Sequence, residues 1–425
     1  MMKINPKEII KLFKDANLEW FVNIYNTQSK DLTYSPLYDE ESFDSVDNLS
    51  TSLVVIKNWK KAVFKLDWYD FESLKKAMAE LSSIIDYSTF DKDIVMPEIF
   101  DEAVCDFSNV EVKNIWFDFL QKEFFKVKNF NFQKEISIET FTIWTKFSTQ
   151  TYINSNWSVK TQSDSSWYYY IELLAKNEET SEVDYEYFES NVIPEVNFDK
   201  ILELQKQLIS KIKPNTKTLE SWVYTVTLDK KVVWSFLEIL LWNLSSEAIR
   251  EWLSIFSNNK IWDKIFSDKL TLINNPNLPW FTWNILFDSE WVTAKKTTLI
   301  ENWVLKSKFY DYKNALKEWL ENLWNSWIRN IELVWDTTWE YLKWSKILFT
   351  NLMAFHTVDA STWKYSLSWE WYLIHCGKKS SFIKNISLSG DIVTLFSNII
   401  AIWDDFFQDW NFKVPSITFE KQKVI

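Results

Sequence analysis

The stretch from Ile136 to Ala175 reads ISIETFTIWTKFSTQTYINSNWSVKTQSDSSWYYYIELLA and contains two long runs in which apolar and polar residues alternate. The runs are Ile136–Ile153 and Trp167–Ala175, and the tetrapeptide at 154–157, Asn-Ser-Asn-Trp, joins them. Alternation with a period of two is typical of strands that bury one face. We therefore predict one long β-hairpin in the middle of the chain.

Helical patterns surround this hairpin. Asp70 is placed to cap a helix over Phe71–Ile85, and apolar residues recur with helical spacing over Phe198–Ile212. Short β runs separated by turn residues dominate after Thr216. Further helices are predicted over Pro6–Asn17, Asn114–Phe130, Val232–Leu244, Tyr312–Leu323 and Asp391–Ile402.

Together these elements predict an α+β fold. An N-terminal α/β sandwich-like region is followed by a β-rich C-terminal domain with bent antiparallel sheets. We divide the chain into an N-terminal α+β domain (1–100), a central domain with the long hairpin (101–215) and a β-rich C-terminal domain (216–425).

Glycine and tryptophan occur in unusual numbers. The chain of 425 residues contains 2 Gly and 27 Trp, whereas ordinary usage predicts roughly 30 glycines. Trp59, Trp157 and Trp303 each follow an asparagine at a hairpin position, where Asn-Gly is the usual signal. Trp20 follows the first helical segment, where a glycine cap is expected. We therefore hypothesise an alternative genetic code in which UGA encodes glycine, with Trp116 as the best candidate for a genuine tryptophan.

Charge and cysteine content set limits on the partners. The net charge of −12, from 47 basic and 59 acidic residues, disfavours a nucleic-acid partner. The most apolar stretch, Val232–Trp242, is too short to span a bilayer. Two cysteines and the lack of an apolar signal segment after Met1 indicate a reducing cytosol. We predict a cytoplasmic protein with no membrane association.

Familiar catalytic motifs are absent from the sequence. The histidines His356 and His375 do not form an HExxH or HExxxH pair, and there is no Walker loop, dinucleotide fingerprint or GxSxG motif. The His-Cys-Gly tripeptide at 375–377 favours a hairpin turn over a metal site. The residues alone therefore predict no active site.

Four stretches of the C-terminal half resemble the PmbA (TldE) branch of the TldD/PmbA family when Trp is read as Gly. Pro276–Trp283 then reads PNLPGFTG, and Phe287–Val304 reads FDSEGVTAKKTTLIENGV. Thr357–Ile374 reads TVDASTGKYSLSGEGYLI, and Ile386–Asp405 reads ISLSGDIVTLFSNIIAIGDD. The family is assigned to the bacterial cytosolic metallopeptidases. The resemblance is strong over 216–420 and weak over the N-terminal half.

The resemblance implies a subunit without a zinc site. Catalytic TldD-type members carry HExxxH on a helix and a later Cys, and the matching positions here are Glu238, Ile239 and Asn243, with no Cys in Phe406–Pro415. We expect no catalytic residue, metal or cofactor in this chain, and zinc in a TldD-type partner. Glu238 is interpreted as a structural or interface residue.

The implied function is that of a non-catalytic TldE/PmbA-like subunit in a heterodimeric zinc metalloprotease that trims or degrades unfolded peptides. Such a chain would be active only as part of the complex. The two long loops of the resemblance are the candidate peptide-binding or interface region. The candidate residues are Phe287, Asp288, Glu290, Lys295, Lys296, Thr357, Tyr365 and Ser366.

Three alternatives stay open. The chain could be a stand-alone metallopeptidase of the same family that uses another metal site. If the tryptophans are genuine, it could be an aromatic-rich carbohydrate-binding protein. It could also be a scaffold with no role in peptide processing.

Overall fold

A computed structural model describes residues 5–425, except 15, 17, 37–39, 68–69, 92–93, 95–101, 116, 193–194, 214–218, 267, 280, 289, 291, 319–327, 336–346, 353–357, 359–362, 376–377 and 410–411. The described residues form three sheets with helices packed against them. One sheet belongs to the N-terminal half and two to the C-terminal half, which confirms the α+β class and the β-rich C-terminal part.

The first sheet has seven strands and contains the hairpin predicted from the alternating runs. Its order is β3-β2-β1-β5-β6-β4, and β7 also pairs with β6. Strands β5 and β6 pair in antiparallel register from Ile136↔Ala175 to Ile153↔Val159. The strands are β1 (Glu19–Ser35), β2 (Glu40–Lys57), β3 (Lys60–Leu66), β4 (Glu102–Asp106), β5 (Ile136–Asn154), β6 (Val159–Lys176) and β7 (Ser181–Ser190).

Helices cover one face of this sheet. Two helices at one end, α1 (Pro6–Leu12) and α2 (Phe71–Ile84), pack on alternate residues of β1, β2 and β3. At the other end, α4 (Phe117–Lys128) and α5 (Phe198–Lys211) pack on alternate residues of β5 and β6. Because successive side chains of a strand point to opposite faces, the intervening residues of β5 and β6 face away from the helices. The short α3 (Val110–Lys113) precedes α4.

The first sheet runs across residue 100, so the two domains predicted for 1–100 and 101–215 contribute strands to one sheet. Each part nevertheless has its own hydrophobic cluster, one under α1 and α2 and one under α4 and α5. The domain boundaries themselves stay a prediction.

Two six-stranded sheets form the C-terminal half and share one hydrophobic core with α6 (Lys230–Asn243). The second sheet has the order β11-β10-β9-β12-β18-β17, and the third has the order β15-β14-β13-β8-β19-β16, with β15 also paired to β19. Their strands are β8 (Trp222–Leu228), β9 (Leu272–Asn275), β10 (Thr297–Glu301), β11 (Val304–Leu305), β12 (Asn330–Leu333), β13 (Ile347–Leu352), β14 (Lys364–His375), β15 (Lys378–Asp391), β16 (Ile399–Ile402), β17 (Phe407–Asp409), β18 (Phe412–Val414) and β19 (Ile417–Val424). The remaining helices are α7 (Ser246–Arg250), α8 (Tyr312–Lys317) and α9 (Ile392–Ser397).

Most predicted elements agree with the structure, and the caps explain why. The Asp70 carboxylate accepts a hydrogen bond from the N–H of Ser73 at 2.8 Å and starts α2 where predicted. Asn197 caps α5 in the same way through the N–H of Lys200.

Two predicted features are wrong. Trp20 does not cap the first helix, because α1 ends at Leu12 and Trp20 lies buried in β1. The helix predicted over Asp391–Ile402 stops at Ser397, and Ile399–Ile402 form β16 against β19. Tertiary pairing with a neighbouring strand decides the conformation of this β-branched tail.

Tryptophan occupies turn conformations that favour glycine. In the hairpin of β2 and β3, Asn58 and Trp59 have φ of 50° and 62°. Asn302 and Trp303 between β10 and β11 have φ of 46° and 62°. Two successive positive φ values are the signature of a type I′ turn, as the Asn-Trp pairs predict when they are read as Asn-Gly. Positive φ is also found at four further tryptophans, Trp157, Trp252, Trp262 and Trp363.

Among the described residues, no helix is both long enough and apolar enough to cross a lipid bilayer.

Candidate functional site

A large cleft separates the open face of the first sheet from the C-terminal half. Its volume is about 1110 Å³. One wall is the face of β1, β5, β6 and β7 that carries no helices. The opposite wall consists of α6, the loop from Thr282 to Ile285 and Phe412 of β18.

Strand alternation explains the chemistry of the sheet wall. The helix side of β6 carries Trp167, Tyr169 and Ile171, which are buried in the core. The alternate residues Ser166, Tyr168 and Tyr170 face the cleft. Each pairs with a residue of β5, as in Trp144↔Tyr168 and Lys146↔Ser166. Register therefore fixes which side chains meet the cleft.

Tyrosine is the most frequent residue on this wall. Five tyrosines from three strands of the sheet line the cleft: Tyr25, Tyr168, Tyr170, Tyr185 and Tyr187. The rings of Tyr170 and Tyr185 stack with centroids 5.6 Å apart, and those of Tyr168 and Tyr187 lie 5.7 Å apart. Burial and the nearby Glu172 carboxylate raise the pKa of Tyr170 to about 12, so this phenol stays protonated at neutral pH. The wall offers aromatic faces and hydroxyl groups to a ligand.

Two carboxyl groups on the same wall have raised pKa values. Burial raises the pKa of Asp164 to about 8, and Lys146 offsets only part of this effect. The Asp164 Oδ1 atom is buried without a hydrogen-bond partner. Burial also raises the pKa of Glu189, although Glu189 accepts a 2.6 Å hydrogen bond from the Tyr187 hydroxyl. Raised carboxyl pKa values in a cleft are typical of binding and catalytic sites.

The α6 wall contains the three positions where the resemblance places zinc ligands and their neighbouring Glu. Glu238 is exposed and lines the cleft. Asn243 is buried at the other end of the helix, where its Nδ2 donates to the Ile239 carbonyl at 2.8 Å and its Oδ1 accepts from the Ile255 N–H at 2.9 Å. Its side-chain amide therefore has a structural role.

This donor set does not fit zinc. A catalytic zinc site needs about three protein ligands, and only the Glu238 carboxylate is a suitable ligand at the three positions, because Ile239 is apolar and Asn243 hydrogen-bonds the backbone. Across the described part of the chain, no cluster of three or more His, Cys, Asp or Glu residues could hold a metal ion. The expectation that this chain binds no metal stays a prediction.

The candidate residues in the loop after Pro276 lie beside the cleft rather than on its wall. Phe287 is buried and forms an isolated bridge with Thr293. The Asp288 Oδ1 atom accepts hydrogen bonds from the N–H groups of Glu290 and Val292 at 2.9 and 3.0 Å, so this carboxylate holds the turn. Lys295 and Lys296 are exposed, whereas Ile285 at the start of the loop lines the cleft.

The candidates of the second loop are separated from the cleft. Thr357, as well as His356 and Cys376, lies outside the described residues. Tyr365 is buried in the C-terminal core, with its ring 5.6 Å from that of Phe236. Ser366 is exposed on β14, and its hydroxyl lies 3.0 Å from the hydroxyl of Ser389. A peptide-binding or interface role for the candidates stays a prediction.

Tyr365 also explains one of the two glycines. A Cβ atom at Gly390, which pairs with Tyr365 across β14 and β15, would lie 2.8 Å from the Tyr365 hydroxyl. No side chain fits at this position without a shift of the tyrosine.

Buried ion pairs join the two halves beside the cleft. The Lys211 ammonium on α5 lies 2.7 Å from Asp184 on β7 and 2.7 Å from Glu370 on β14. The Lys211 side chain is 2% exposed and that of Glu370 is 4% exposed. Lys231 on α6 pairs with Glu186 on β7 at 3.0 Å. These contacts fix the position of the sheet wall relative to the C-terminal half.

Sequence reasoning did not predict the cleft wall. The alternating pattern predicts the hairpin but gives its polar face no role beyond contact with solvent. The sequence does contain a signal for this site. The polar face carries large aromatic and ionisable side chains, which a strand face in contact with solvent alone does not need: Trp144, Lys146, Asp164, Tyr168 and Tyr170.

Comparison with known proteins relates the C-terminal half to one family. Residues 221–425 match the model described as the PmbA/TldA metallopeptidase C-terminal domain. Two curated relatives match longer parts of the chain than this model does. A protein named metalloprotease PmbA homolog from Buchnera aphidicola is 24% identical over 263 residues, which is 60% of this chain and 58% of that protein. An uncharacterised protein of Methanocaldococcus jannaschii is 24% identical over 224 residues, which is 50% of this chain and 53% of that protein. The matches therefore span little more than half the length of these relatives.

Solved structures share the fold over the whole chain. TldE from Thermococcus kodakarensis has a TM-score of 0.84 at 16% identity, with 98% of this chain and 99% of that chain covered. A protein from Bacteroides thetaiotaomicron, described as a proposed modulator of DNA gyrase, has a TM-score of 0.85 at 17% identity and covers 100% and 99%. A protein from Thermotoga maritima with the same kind of description has a TM-score of 0.82 at 17% identity and covers 99% of each chain. These likenesses establish the fold alone.

Proposed function

From the match of residues 221–425 to the PmbA/TldA metallopeptidase C-terminal domain, we propose that this chain is a TldE-type subunit of the PmbA/TldD family that completes a TldD-type zinc peptidase without binding zinc itself. The partner supplies the metal and the catalytic groups. The present chain supplies one wall of the space in which an unfolded peptide is held. The proposed location of this subunit is the cytoplasm.

The proposal rests on one observation: α6 lies at the cleft but lacks a full set of zinc ligands at the positions where the family has them. The helix has the family position and borders the cleft, yet its side chains cannot form the zinc site. The Asn243 side-chain amide donates a hydrogen bond to the carbonyl of Ile239 and accepts one from the N–H of Ile255. Of the three positions that match the family zinc helix, only Glu238 lines the cleft. A chain that keeps the cleft but lacks the ligands is suited to shaping a substrate space rather than to cleaving a bond.

The size and lining of the cleft support a peptide as the ligand. Pockets for small molecules measure about 300–1000 Å³, so a cleft of about 1110 Å³ has room for several residues of extended chain. The wall offers hydroxyl, amide and aromatic groups from neighbouring strands. Such a mixture can accept many side chains, as an enzyme for unfolded peptides requires.

Co-purification from the source cells tests the proposal. We expect a protein with an HExxxH helix to accompany this chain, and we expect the pair to cleave an unfolded peptide while each chain alone does not. A zinc chelator added to the pair is the control for metal dependence. Peptide cleavage by this chain alone would instead establish a stand-alone peptidase. Purification with no HExxxH-bearing companion would contradict the subunit role.

A further inference from the structure

The subunit role leaves one part of the cleft unexplained. Asp164 of β6 and Glu189 of β7 lie on the sheet wall together with Lys146 of β5. Strand pairing brings these groups together, because Lys146 is opposite Ser166, and Glu189 is opposite Tyr168. Shaping a peptide channel does not require carboxyl groups, and burying them is costly unless a partner compensates their charge.

The surroundings of the carboxyl groups are aromatic. The rings of Tyr168, Tyr170, Tyr185 and Tyr187 lie on the same wall, and the Tyr187 hydroxyl donates to Glu189. The faces of aromatic rings carry negative charge density and attract cations. The tyrosines offer this chemistry whichever residue the cell inserts at Trp144, Trp234 and Trp283.

The Asp164 side chain lines the cleft and has an unsatisfied hydrogen-bonding atom. Its Oδ1 atom is buried and has no hydrogen-bond partner. A positively charged group that enters the cleft would stabilise the ionised carboxylate, which the surrounding protein disfavours. Among the described residues that line the cleft, a negatively charged group would meet three carboxyl groups, those of Asp164, Glu189 and Glu238, and one ammonium, that of Lys146.

We propose that Asp164, Glu189 and the adjoining tyrosines form a subsite for a cationic group, the side chain of a lysine or arginine in an extended peptide. The peptide nature of the ligand rests on the proposed function, whereas the preference for a cation rests on the cleft itself. The overall charge of −12 acts in the same direction, because it attracts basic peptides over a longer distance.

The proposal has a defined pH dependence. Asp164 is largely neutral below its pKa of about 8 and becomes negative above it. The other titratable groups that face the cleft from the described residues are Tyr25, Tyr168, Tyr170, Tyr185, Tyr187, Lys146, Glu189 and Glu238. The Asp106 carboxylate on β4 also acts on Asp164 and raises its pKa. A lysine side chain stays charged up to about pH 10. Affinity for a lysine peptide should therefore rise between pH 6 and pH 8.5 as Asp164 ionises.

Direct binding of labelled peptides to the isolated full chain tests the subsite. The probes are three ten-residue peptides with capped ends and no other charged residue, which differ only at the central residue: lysine, arginine or norleucine. We expect the lysine and arginine peptides to bind about tenfold more tightly than the norleucine peptide at pH 8.5. We expect the difference to shrink at pH 6. Calorimetry at pH 7.5 in two buffers of different ionisation enthalpy should show protons released when the lysine peptide binds.

Matched variants locate the effect. The double variant Asp164→Asn with Glu189→Gln should lose the preference for the cationic peptides and the proton release. The control variant Glu80→Gln with Glu203→Gln removes two carboxylates from exposed positions on α2 and α5, on the helix side of the sheet, and should keep both. Loss of preference in the control as well would assign the effect to overall charge and overturn the subsite.

The remaining outcomes are equally decisive. Equal binding of the norleucine and lysine peptides, or no binding of any peptide, would overturn the cationic subsite. Free spermidine that binds as tightly as the lysine peptide would overturn the peptide as its ligand. None of these results changes whether a TldD-type protein co-purifies with the chain, so the subunit role and the subsite can fail separately.

Discussion

Single tryptophans have conformations and environments that suit glycine. Six described tryptophans have positive φ, in a region that bulky residues rarely adopt. Trp167 and Trp371 are fully buried, and their indole N–H groups lack a hydrogen-bond partner. A positive φ strains tryptophan but not glycine, and a buried indole N–H without a partner carries a cost that a residue without this donor avoids. We propose on these grounds that most of the 27 tryptophan positions are glycine in the source cells.

Peptide mass spectrometry of the protein from its source cells tests this recoding. We expect glycine at the positions of Trp59, Trp157 and Trp303, because all three have positive φ in hairpin connections. Detection of tryptophan at these positions would contradict the proposal. We further expect the chain to misfold in a host that inserts tryptophan at all 27 positions.

Restoring single tryptophans should show a position-dependent cost. In a chain made with glycine at all 27 positions, we expect Trp59 or Trp303 to lower the free energy of unfolding by about 1–2 kcal/mol each. Trp222 is the matched control, because it is 71% exposed in β8 and does not have positive φ. Urea denaturation measures the three values. An equal cost at all three positions would rule out the backbone conformation as the cause.

Asp164 should make stability depend on pH. Burial raises its pKa from the ordinary 3.8 to about 8, so the folded chain binds this proton more tightly than the unfolded chain. Its contribution to stability is complete below about pH 4 and is lost progressively as the pH rises towards 8. Asp164→Asn should therefore flatten the decline of the melting temperature between pH 5 and 8, whereas Glu203→Gln should not. An unchanged profile in Asp164→Asn would show that Asp164 does not titrate in this range.

At the scale of elements, strands and caps follow from local rules. The alternation over Ile136–Ile153 predicted β5, because a half-buried strand needs an apolar residue at every second position. Asp70 and Asn197 predicted the starts of α2 and α5. The segment after Ser397 was mistaken for helix, because its apolar residues suit both a buried helix and a buried strand, and only pairing with β19 decides between them.

The amide of Asn243 should contribute measurably to the anchoring of α6. We expect Asn243→Ala to lower the free energy of unfolding by about 1–3 kcal/mol, because it removes a buried amide and leaves the half-buried Ile255 N–H without its acceptor. Glu238→Gln on the same helix is the control and should change stability by less than about 0.5 kcal/mol, since Glu238 is exposed. Chemical denaturation compares the two. A small effect at Asn243 would remove the structural explanation for its place at the family zinc position.

At the scale of the whole molecule, the candidate site arises from distant parts of the chain. The cleft joins strands of the first sheet to α6, to the loop from Thr282 to Ile285 and to Phe412. Local patterns predict each element but not which elements face one another across a cavity. The family resemblance drew attention to α6, and Glu238 of this helix lines the cleft, but the role of α6 as a site element stays a prediction. It carried no information about Asp164 or Glu189, which lie in the half where the resemblance is weak.

The connection between the halves should depend on Lys211. We expect Lys211→Ala to lower the free energy of unfolding by about 3–5 kcal/mol, because it leaves the buried Glu370 carboxylate without its cation. The surface pair of Lys57 and Asp86 is the control, and Lys57→Ala should cost about 0–1 kcal/mol. Urea denaturation measures stability, and limited proteolysis between the halves detects their separation. Similar costs for both variants would show that the buried pair does not hold the halves together.

The order of strands in the third sheet has a kinetic consequence. Strands β8 and β19 are neighbours, yet they lie at opposite ends of the C-terminal half. Four pairings of the first sheet join sequence neighbours, β1 with β2, β2 with β3, β5 with β6 and β6 with β7, whereas β1 with β5 and β4 with β6 join more distant strands. Closing a long loop costs entropy before the contact stabilises it, so such pairings form slowly. The hairpins of the first sheet should thus acquire amide protection early in refolding. Until the third sheet forms, the apolar face of α6 stays exposed to solvent. A chaperone could bind this exposed face at that stage.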